Sequence, residues 1–232
     1  MNDHPHISEQ FDSELQVLQS NFAAMGGLVE AQVQDAMQAF KNVDLALAQS
    51  VRSREERVNE YEIEIDQETT TIIARRQPAA SDLRLLIGML KSSTDLERIG
   101  DEADRIAKIM TKGRPYAPTL DELLPILSEV AKLENLASQM LRESLNNFAR
   151  KDEAGATKTI AADKEVDSVY RAIVESCRNG MANFPDHVDS YIAIIWVARS
   201  LERIGDHAKN IAENVVYSVR GEDIRHHGTA TQ

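Results

Sequence analysis

The sequence predicts an all-α protein: a tandem repeat of two antiparallel three-helix bundles, with six long helices in total. Two observations on composition favour helices: the 232 residues include only 10 Gly and 6 Pro, and aromatic residues make up only 5%. A third observation indicates the repeat. The hexapeptide L-E-R-I-G-D occurs at residues 96–101 and again at 201–206, which is 105 residues later.

The first helix is predicted by apolar residues that recur every three or four positions, which places them on one face of a helix. These residues are Phe11, Leu15, Leu18, Phe22, Met25, Val29, Val33 and Phe40. This pattern is typical of a long amphipathic helix that buries a single stripe.

The same apolar pattern returns 108 residues later, so that Leu15 falls on Leu123 and Phe22 on Val130. The offset decreases to 107 at the prolines of the later turns and to 105 at the two hexapeptides, as short deletions in the turns would produce. A repeated unit of this size indicates a duplication.

Each unit is predicted to contain three helices separated by polar or Pro-containing turns. The predicted breaks lie near residues 42–44, 75–82, 150–155 and 179–187. Pro78 ends one helix, and Ser81 or Asp82 is expected to cap the next. The predicted organisation is a first unit at 7–112, a linker at 113–119, a second unit at 120–221 and a polar tail at 222–232.

Charge and cysteine content restrict the class of protein. The formal net charge of −12 disfavours general binding to nucleic acid or to anionic membranes and is compatible with cation binding. The single cysteine, Cys177, excludes an internal disulfide and suits a reducing compartment.

We find neither a signal peptide nor an apolar run of the roughly 18 residues that a membrane span needs. We therefore expect a soluble cytoplasmic protein without membrane insertion.

The repeated hexapeptides place acidic residues four positions apart: Glu97 with Asp101, and Glu202 with Asp206. On a helix these pairs share one face, and their like charges repel. A bound cation would offset the repulsion, because carboxylates are hard oxygen donors. Salt bridges to nearby arginines such as Arg98 would offset it as well, and the pattern alone leaves both readings open.

The preceding helix of the second unit adds Asp163 and Asp167, which share a face; solvated surface acids are the alternative reading. The aligned residues of the first unit are Glu55 and Asn59. Because an amide oxygen is a weaker donor to a hard cation than a carboxylate, we expect the second unit to bind metal more tightly.

Common catalytic motifs are absent from the sequence. It contains no H-E-x-x-H motif, no phosphate-binding G-x-x-x-x-G-K-[ST] loop and no Glu-x-x-His pair. No residue is predicted to serve as an activated nucleophile. We expect a protein that is not an enzyme; the alternative is a metal-carboxylate helical-bundle enzyme or a metal-storage protein.

Taken together, "ARRQPAASDLR" (74–84), "LERIGDEADRIA" (96–107) and "LERIGDHAKNIAE" (201–213) resemble the PhoU family, over roughly residues 11–221. The resemblance implies a cytoplasmic, all-helical negative regulator of the phosphate-starvation response that also modulates phosphate uptake. Its implied partners are the ATPase subunit of the high-affinity phosphate ABC transporter, a phosphate-sensing histidine kinase and a second copy of the chain.

The resemblance also implies metal ions as cofactors, with iron, zinc, manganese and magnesium as the candidates. By this resemblance the metal ligands are the acids of the two E-x-x-x-D boxes, joined by one acid of the preceding helix in the second unit: Glu97, Asp101, Glu202, Asp206 and Asp167.

Overall fold

The computed structural model describes residues 9–111 and 121–222, and over these ranges the chain is helical and contains no strand. The α-helices are α1 (Glu9–Asn42), α2 (Leu45–Ser53), α3 (Glu55–Arg76), α4 (Ala80–Thr111), α5 (Leu124–Arg150), α6 (Glu153–Asn183) and α7 (Val188–Arg220). Short 3-10 helices, Asp121–Leu123 and Pro185–His187, precede α5 and α7. The all-α prediction is confirmed; the predicted linker, 113–119, and the tail from 223 onward lie outside the described residues.

The connection between the first two helices has the same structure in both units. The Asp44 carboxylate accepts from the Leu47 backbone N–H at 2.9 Å and caps α2, and Asp152 accepts from the Gly155 N–H at 3.0 Å and caps α6. The residue before each cap has a positive φ, 55° at Val43 and 52° at the equivalent Lys151. The predicted breaks at these turns are therefore present, and the repeat extends to the backbone conformation.

The start of α4 differs from the predicted cap. The helix begins at Ala80, so Ser81 and Asp82 lie in its first turn and not at its N-cap. The preceding helix, α3, ends at Arg76 and is capped by Gln77, which adopts a left-handed conformation and donates its N–H to the Ile73 carbonyl. Asp82 is still well placed, because an acidic residue in the first turn interacts favourably with the helix dipole.

The second long helix of the first unit is interrupted at Arg54, whereas the corresponding α6 is continuous. The Arg54 N–H bonds to the Val51 carbonyl at 3.1 Å, a tighter 3-10-type contact that ends α2. The Arg54 guanidinium contacts the Asp35 carboxylate of α1 at 2.6 Å. The interruption leaves Glu55 as the first residue of α3, and this residue belongs to the candidate site described below.

The two units are three-helix bundles that share one hydrophobic core. In the first unit α1, α2–α3 and α4 pack together, and in the second α5, α6 and α7 do the same. Equivalent helices also pair between the units: α1 contacts α5, and α4 packs against α7 more extensively than any other two helices pack. The buried apolar side chains therefore form a single cluster that spans both bundles.

Two hydrogen bonds across the α4–α7 contact show that the units are related by a pseudo-twofold axis. The Ser200 hydroxyl donates to Glu102 Oε2 at 2.9 Å, and His207 Nδ1 lies 2.9 Å from Asp95 Oδ1. At the offset of 105 residues, Asp95 corresponds to Ser200 and Glu102 to His207. The same contact is thus made twice, with different residue types.

The glycines of the two hexapeptides allow a close approach of neighbouring helices. A Cβ atom on Gly100 would lie 3.3 Å from Val58 Cγ1, and one on Gly205 would lie 3.1 Å from Val166 Cγ1. Val58 and Val166 are equivalent in the repeat. The absent side chains therefore bring α3 against α4, and α6 against α7, next to the paired acids.

Candidate metal sites in the two units

In the first unit, three carboxylates from two helices converge. Glu55 of α3 and the box acids Glu97 and Asp101 of α4 each offer one oxygen, and these oxygens lie within 4.8 Å of one another. Within residues 9–111 and 121–222 this is the only group of at least three His, Cys, Asp or Glu side chains with such spacing. We call Glu55, Glu97 and Asp101 the first carboxylate cluster.

Several oxygens in and beside the first carboxylate cluster are buried without a hydrogen-bond donor. They are Glu55 Oε1, Glu97 Oε2, Asn59 Oδ1 and Gln32 Oε1. The Gln32 amide donates to the Val51 carbonyl at 3.3 Å and to Glu55 Oε2 at 3.4 Å. Buried oxygens normally have partners, so a concentration of unpaired oxygens fits a hard cation that takes only oxygen ligands.

The mutual repulsion of these acids is visible in their proton affinities. Burial, followed by the negative charge of Asp101, raises the pKa of Glu55 to about 7. The same two causes, in the same order, raise the pKa of Glu97. Both side chains resist ionisation in the metal-free protein, and a bound cation would relieve this cost.

The salt-bridge alternative is only partly realised in the first unit. Arg98 lies 3.3 Å from Glu97 and 3.4 Å from Asp101, but its own side chain is 54% exposed. Ion pairs with so exposed a partner contribute little. The oxygen of Glu97 that faces Arg98 also has no hydrogen-bond donor, so Arg98 does not satisfy the cluster.

In the second unit, the box acids face Asp163 of α6, and two cations of α7, the half-exposed Arg199 and the more buried Lys209, engage two of the carboxylates. Arg199 contacts Glu202 Oε1 at 2.6 Å, and Lys209 donates to Asp163 Oδ2 at 2.6 Å. The other oxygens of these two acids, Glu202 Oε2 and Asp163 Oδ1, are buried and unpaired. We call Asp163, Glu202 and Asp206 the second carboxylate cluster.

Like charges also raise proton affinities in the second cluster. Burial and then the Asp206 charge raise the pKa of Glu202, while burial, then Asp163, then Asp167 raise the pKa of Asp206. Asp167 is therefore close enough to act electrostatically. Its own carboxylate lies at the edge of the cluster, is 40% exposed and is ion-paired to Arg171 at 3.4 Å.

The two clusters differ in the charges that surround their carboxylates. Lys209 already supplies a positive charge to the second cluster, whereas the equivalent residue of the first unit is Asp104. The amide oxygen of Asn59, one helical turn after Glu55, is buried and unpaired. The first unit therefore has no lysine at the position of Lys209.

The metal ligands predicted from the sequence did not include Glu55 and Asp163, the residues that complete the two clusters. The signal was present, because the offset of 108 residues aligns Glu55 with Asp163 on the helix before each box. The expectation instead gave weight to the next turn of that helix, at Asn59 and Asp167. Nothing in the sequence indicated that Gln32 of α1 would donate a hydrogen bond to Glu55.

The two box glutamates are turned into the molecule, as their side-chain exposures show: 16% for Glu97 and 10% for Glu202. This orientation suits ligand binding inside each bundle better than direct contact with a protein partner.

Cys177 is buried, and burial raises the pKa of its thiol to about 12, so it behaves as a small apolar residue.

The fold and the clusters define a class: duplicated helical proteins that carry a carboxylate cluster in each half. The chain matches the family model described as the PhoU domain twice, over residues 22–110 and 130–215. This chain belongs to the PhoU family.

Similar proteins cover almost the whole chain. The PhoU homolog of the phosphate-specific transport system from Pseudomonas aeruginosa is 45% identical over 230 residues, covering 96% of this chain and 90% of the relative. The Escherichia coli accessory protein PhoU is 39% identical over 228 residues, covering 98% and 92%.

Two crystal structures share the fold. PhoU from Pseudomonas aeruginosa has a TM-score of 0.83 at 43% identity, with 91% of this chain and 100% of that chain covered. The phosphate transport system regulatory protein PhoU from Streptococcus pneumoniae has a TM-score of 0.82 at 26% identity, with 92% and 99% covered. None of the described helices of our chain combines the length and apolarity needed to cross a bilayer.

Proposed function

We propose that this protein is a non-enzymatic cytoplasmic accessory protein of a phosphate-specific transport system and a negative regulator of the phosphate-starvation response. In this role it links the ATPase subunit of the phosphate ABC transporter to a sensor histidine kinase and restrains phosphate uptake. The observation that carries the proposal is the relation, over nearly the full length, to proteins named as accessory proteins of phosphate-specific transport.

The proposed metal sites are the two carboxylate clusters. Glu55, Glu97 and Asp101 would hold an ion in the first unit, and Glu202 and Asp206, with Asp163 and the peripheral Asp167, would hold one in the second. The donors are all oxygens, which suits Mg²⁺, Mn²⁺ and ferric iron better than Zn²⁺, an ion that prefers nitrogen and sulfur. A bound ion would supply charge neutralisation and would tie α3 to α4 and α6 to α7.

A genetic experiment tests the regulatory proposal. Deleting the gene should raise alkaline phosphatase activity in phosphate-rich medium, and a plasmid copy of the wild-type gene should restore repression. The rise should disappear when the sensor kinase is deleted as well, because the proposed adaptor acts through the kinase. Unchanged alkaline phosphatase in the single deletion would refute the regulatory role.

A biochemical experiment tests the proposed partners. Affinity-tagged protein should co-purify the ATPase subunit of the phosphate transporter and the histidine kinase from detergent-solubilised membranes. The double variant Glu97→Gln, Glu202→Gln separates metal occupancy from surface contact, because these side chains lie mostly inside the bundles. Light scattering on the purified chain tests the proposed homodimer.

A further inference from the structure

A cationic pocket lies between the C-terminal half of α4 and the N-terminal half of α7. Its cavity has a volume of about 260 Å³. Four cations line it: Arg105 and Lys108 from α4, and Arg199 and Arg203 from α7. Such a concentration of positive charge is notable in a chain with a net charge of −12.

A buried carboxylate fixes two of the guanidinium groups. The side chain of Glu102 is 3% exposed, and its Oε1 lies 2.5 Å from Arg105 Nη1 and 2.9 Å from Arg203 Nη1. Its other oxygen accepts from the Ser200 hydroxyl at 2.9 Å. Positioning of this kind reduces the conformational entropy that two arginines would lose on binding an anion.

The four cationic side chains of the pocket retain N–H donors that can bind a ligand. Arg199 and Lys108 are also ion-paired, to Glu202 and Asp104. A guanidinium carries five N–H donors in a planar fork, so one contact leaves most of them available. The side chains of the three arginines are 38–52% exposed, which keeps those donors accessible. Guanidinium forks match phosphate oxygens in geometry as well as in charge.

Trp196, the only tryptophan of the chain, lines the same pocket and is 44% exposed. An indole ring offers a flat surface on which an aromatic base can stack. The pocket thus combines a phosphate-binding set of arginines with an aromatic platform. A nucleic acid chain is a poor fit, because its many phosphates would meet the acidic remainder of the surface.

The duplicated half provides an internal comparison. The pseudo-twofold places a second depression, of about 350 Å³, between the N-terminal half of α4 and the C-terminal half of α7, with Lys91, Thr94, Asp95, Asn210 and Asn214 around it. At the offset of 105 residues these positions correspond to Trp196, Arg199, Ser200, Arg105 and Ile109. The architecture alone therefore does not require three arginines and a tryptophan at this place.

We propose that the pocket between α4 and α7 binds a nucleotide, with its phosphates on Arg105, Arg199 and Arg203 and its base against Trp196. The size of the cavity admits more than a free phosphate ion. The pocket is open to solvent, so the parts of the nucleotide that do not contact these residues can extend out of it.

The single tryptophan makes the test direct. Titration of the full-length protein with ADP, at constant ionic strength and without divalent metal, should quench the Trp196 fluorescence in a saturable way. Arg203→Gln and Arg105→Gln should each weaken binding at least about 10-fold, as loss of a charged phosphate contact does. Lys91→Gln removes one positive charge from the equivalent depression and should change the affinity less than twofold. Circular dichroism checks that each variant is folded.

Two further ligands decide the class of molecule. Pyrophosphate should bind at least fivefold more weakly than ADP, and Trp196→Leu, measured by calorimetry, should remove that difference. Equal binding of pyrophosphate and ADP would overturn the nucleotide assignment in favour of a bare polyphosphate anion. Binding of a hexaglutamate peptide without binding of ADP would identify a docking surface for an acidic protein segment. An absence of saturable quenching by ADP would overturn the proposal outright.

Discussion

Lys209 donates to the buried carboxylate of Asp163 at 2.6 Å, where α7 crosses α6. The pair has no counterpart in the first unit, because the equivalent residues are Asp104 and Glu55, both acidic. Asp104 is held instead by Arg52, at 3.3 Å, and by Lys108. One half of the duplicated protein therefore carries its own cation at the carboxylate cluster, and the other half leaves Glu55, Glu97 and Asp101 to repel one another.

The first prediction concerns the order of metal affinity. Asp101→Asn should weaken the tightest step of Mn²⁺ binding by about 10-fold or more, because it removes a donor from the cluster in which an acid, Asp104, replaces Lys209. Asp206→Asn should affect a weaker step. Calorimetric titration measures both, and Glu56→Gln, an exposed neighbour on α3, serves as the control. Equal losses from the two variants would contradict this order.

The second prediction concerns Lys209 itself. Replacing it with methionine keeps a long side chain but removes the ammonium group, so the second carboxylate cluster should bind Mn²⁺ more tightly than in the wild type. Without metal, the same variant should lose about 1–2 kcal/mol of unfolding free energy, because a charged hydrogen bond to Asp163 is lost. Lys164→Met, at an exposed position of α6, is the matched control. A Lys209→Met protein with unchanged metal affinity would exclude a role for Lys209 as an internal cation.

The third prediction concerns pH. The pKa of Glu55 in the folded protein is raised from 4.5 to about 7, so between these values the folded state holds more protons than the unfolded state. The free energy of unfolding of the metal-free protein should therefore fall as the pH rises through this window. The raised pKa values of Glu97, Glu202 and Asp206 act in the same direction.

Thermal unfolding in chelator at pH 5 and at pH 8 measures this effect. Glu55→Gln should reduce the difference in melting temperature, whereas Glu56→Gln should not. Saturating Mn²⁺ should stabilise the protein more at pH 8, where the carboxylates are ionised and free to bind. A melting temperature in chelator that is higher at pH 8 than at pH 5 would show that these four acids do not dominate the pH dependence.

The duplication and the helices could be predicted because both leave a regular pattern of residue types along the chain. Apolar spacing identifies the buried stripe of a helix, and two equivalent capping residues, Asp44 and Asp152, mark where helices begin. The interruption at Arg54 had no such signal, since the equivalent stretch of α6 continues as a helix. A single 3-10-type hydrogen bond within α2–α3 depends on tertiary contacts, such as that of Arg54 with Asp35.

The candidate site was predictable only in part, for a related reason. The spacing of Glu97 and Asp101 on one helix can be seen in the sequence, but the distance from α4 to Glu55 depends on how two helices cross. The charge balance between Lys209 and Asp163 also depends on that crossing. Both features involve residues from separate helices, and the spacing of residues along one helix does not reveal them.

The last prediction concerns the hydrogen bond between Ser200 and Glu102, which joins the two units. Ser200→Ala leaves the buried Glu102 carboxylate without this donor and should lower the unfolding free energy by about 1–2 kcal/mol, or the melting temperature by roughly 2–8 °C. Ser168→Ala, at an exposed position of α6, corrects for the higher helix propensity of alanine. In the background of Glu102→Gln the effect of Ser200→Ala should shrink, since a neutral amide is a weaker partner than a carboxylate. Chemical denaturation of the four proteins gives the coupling energy, and a coupling of zero would show that the bond does not help to hold α4 against α7.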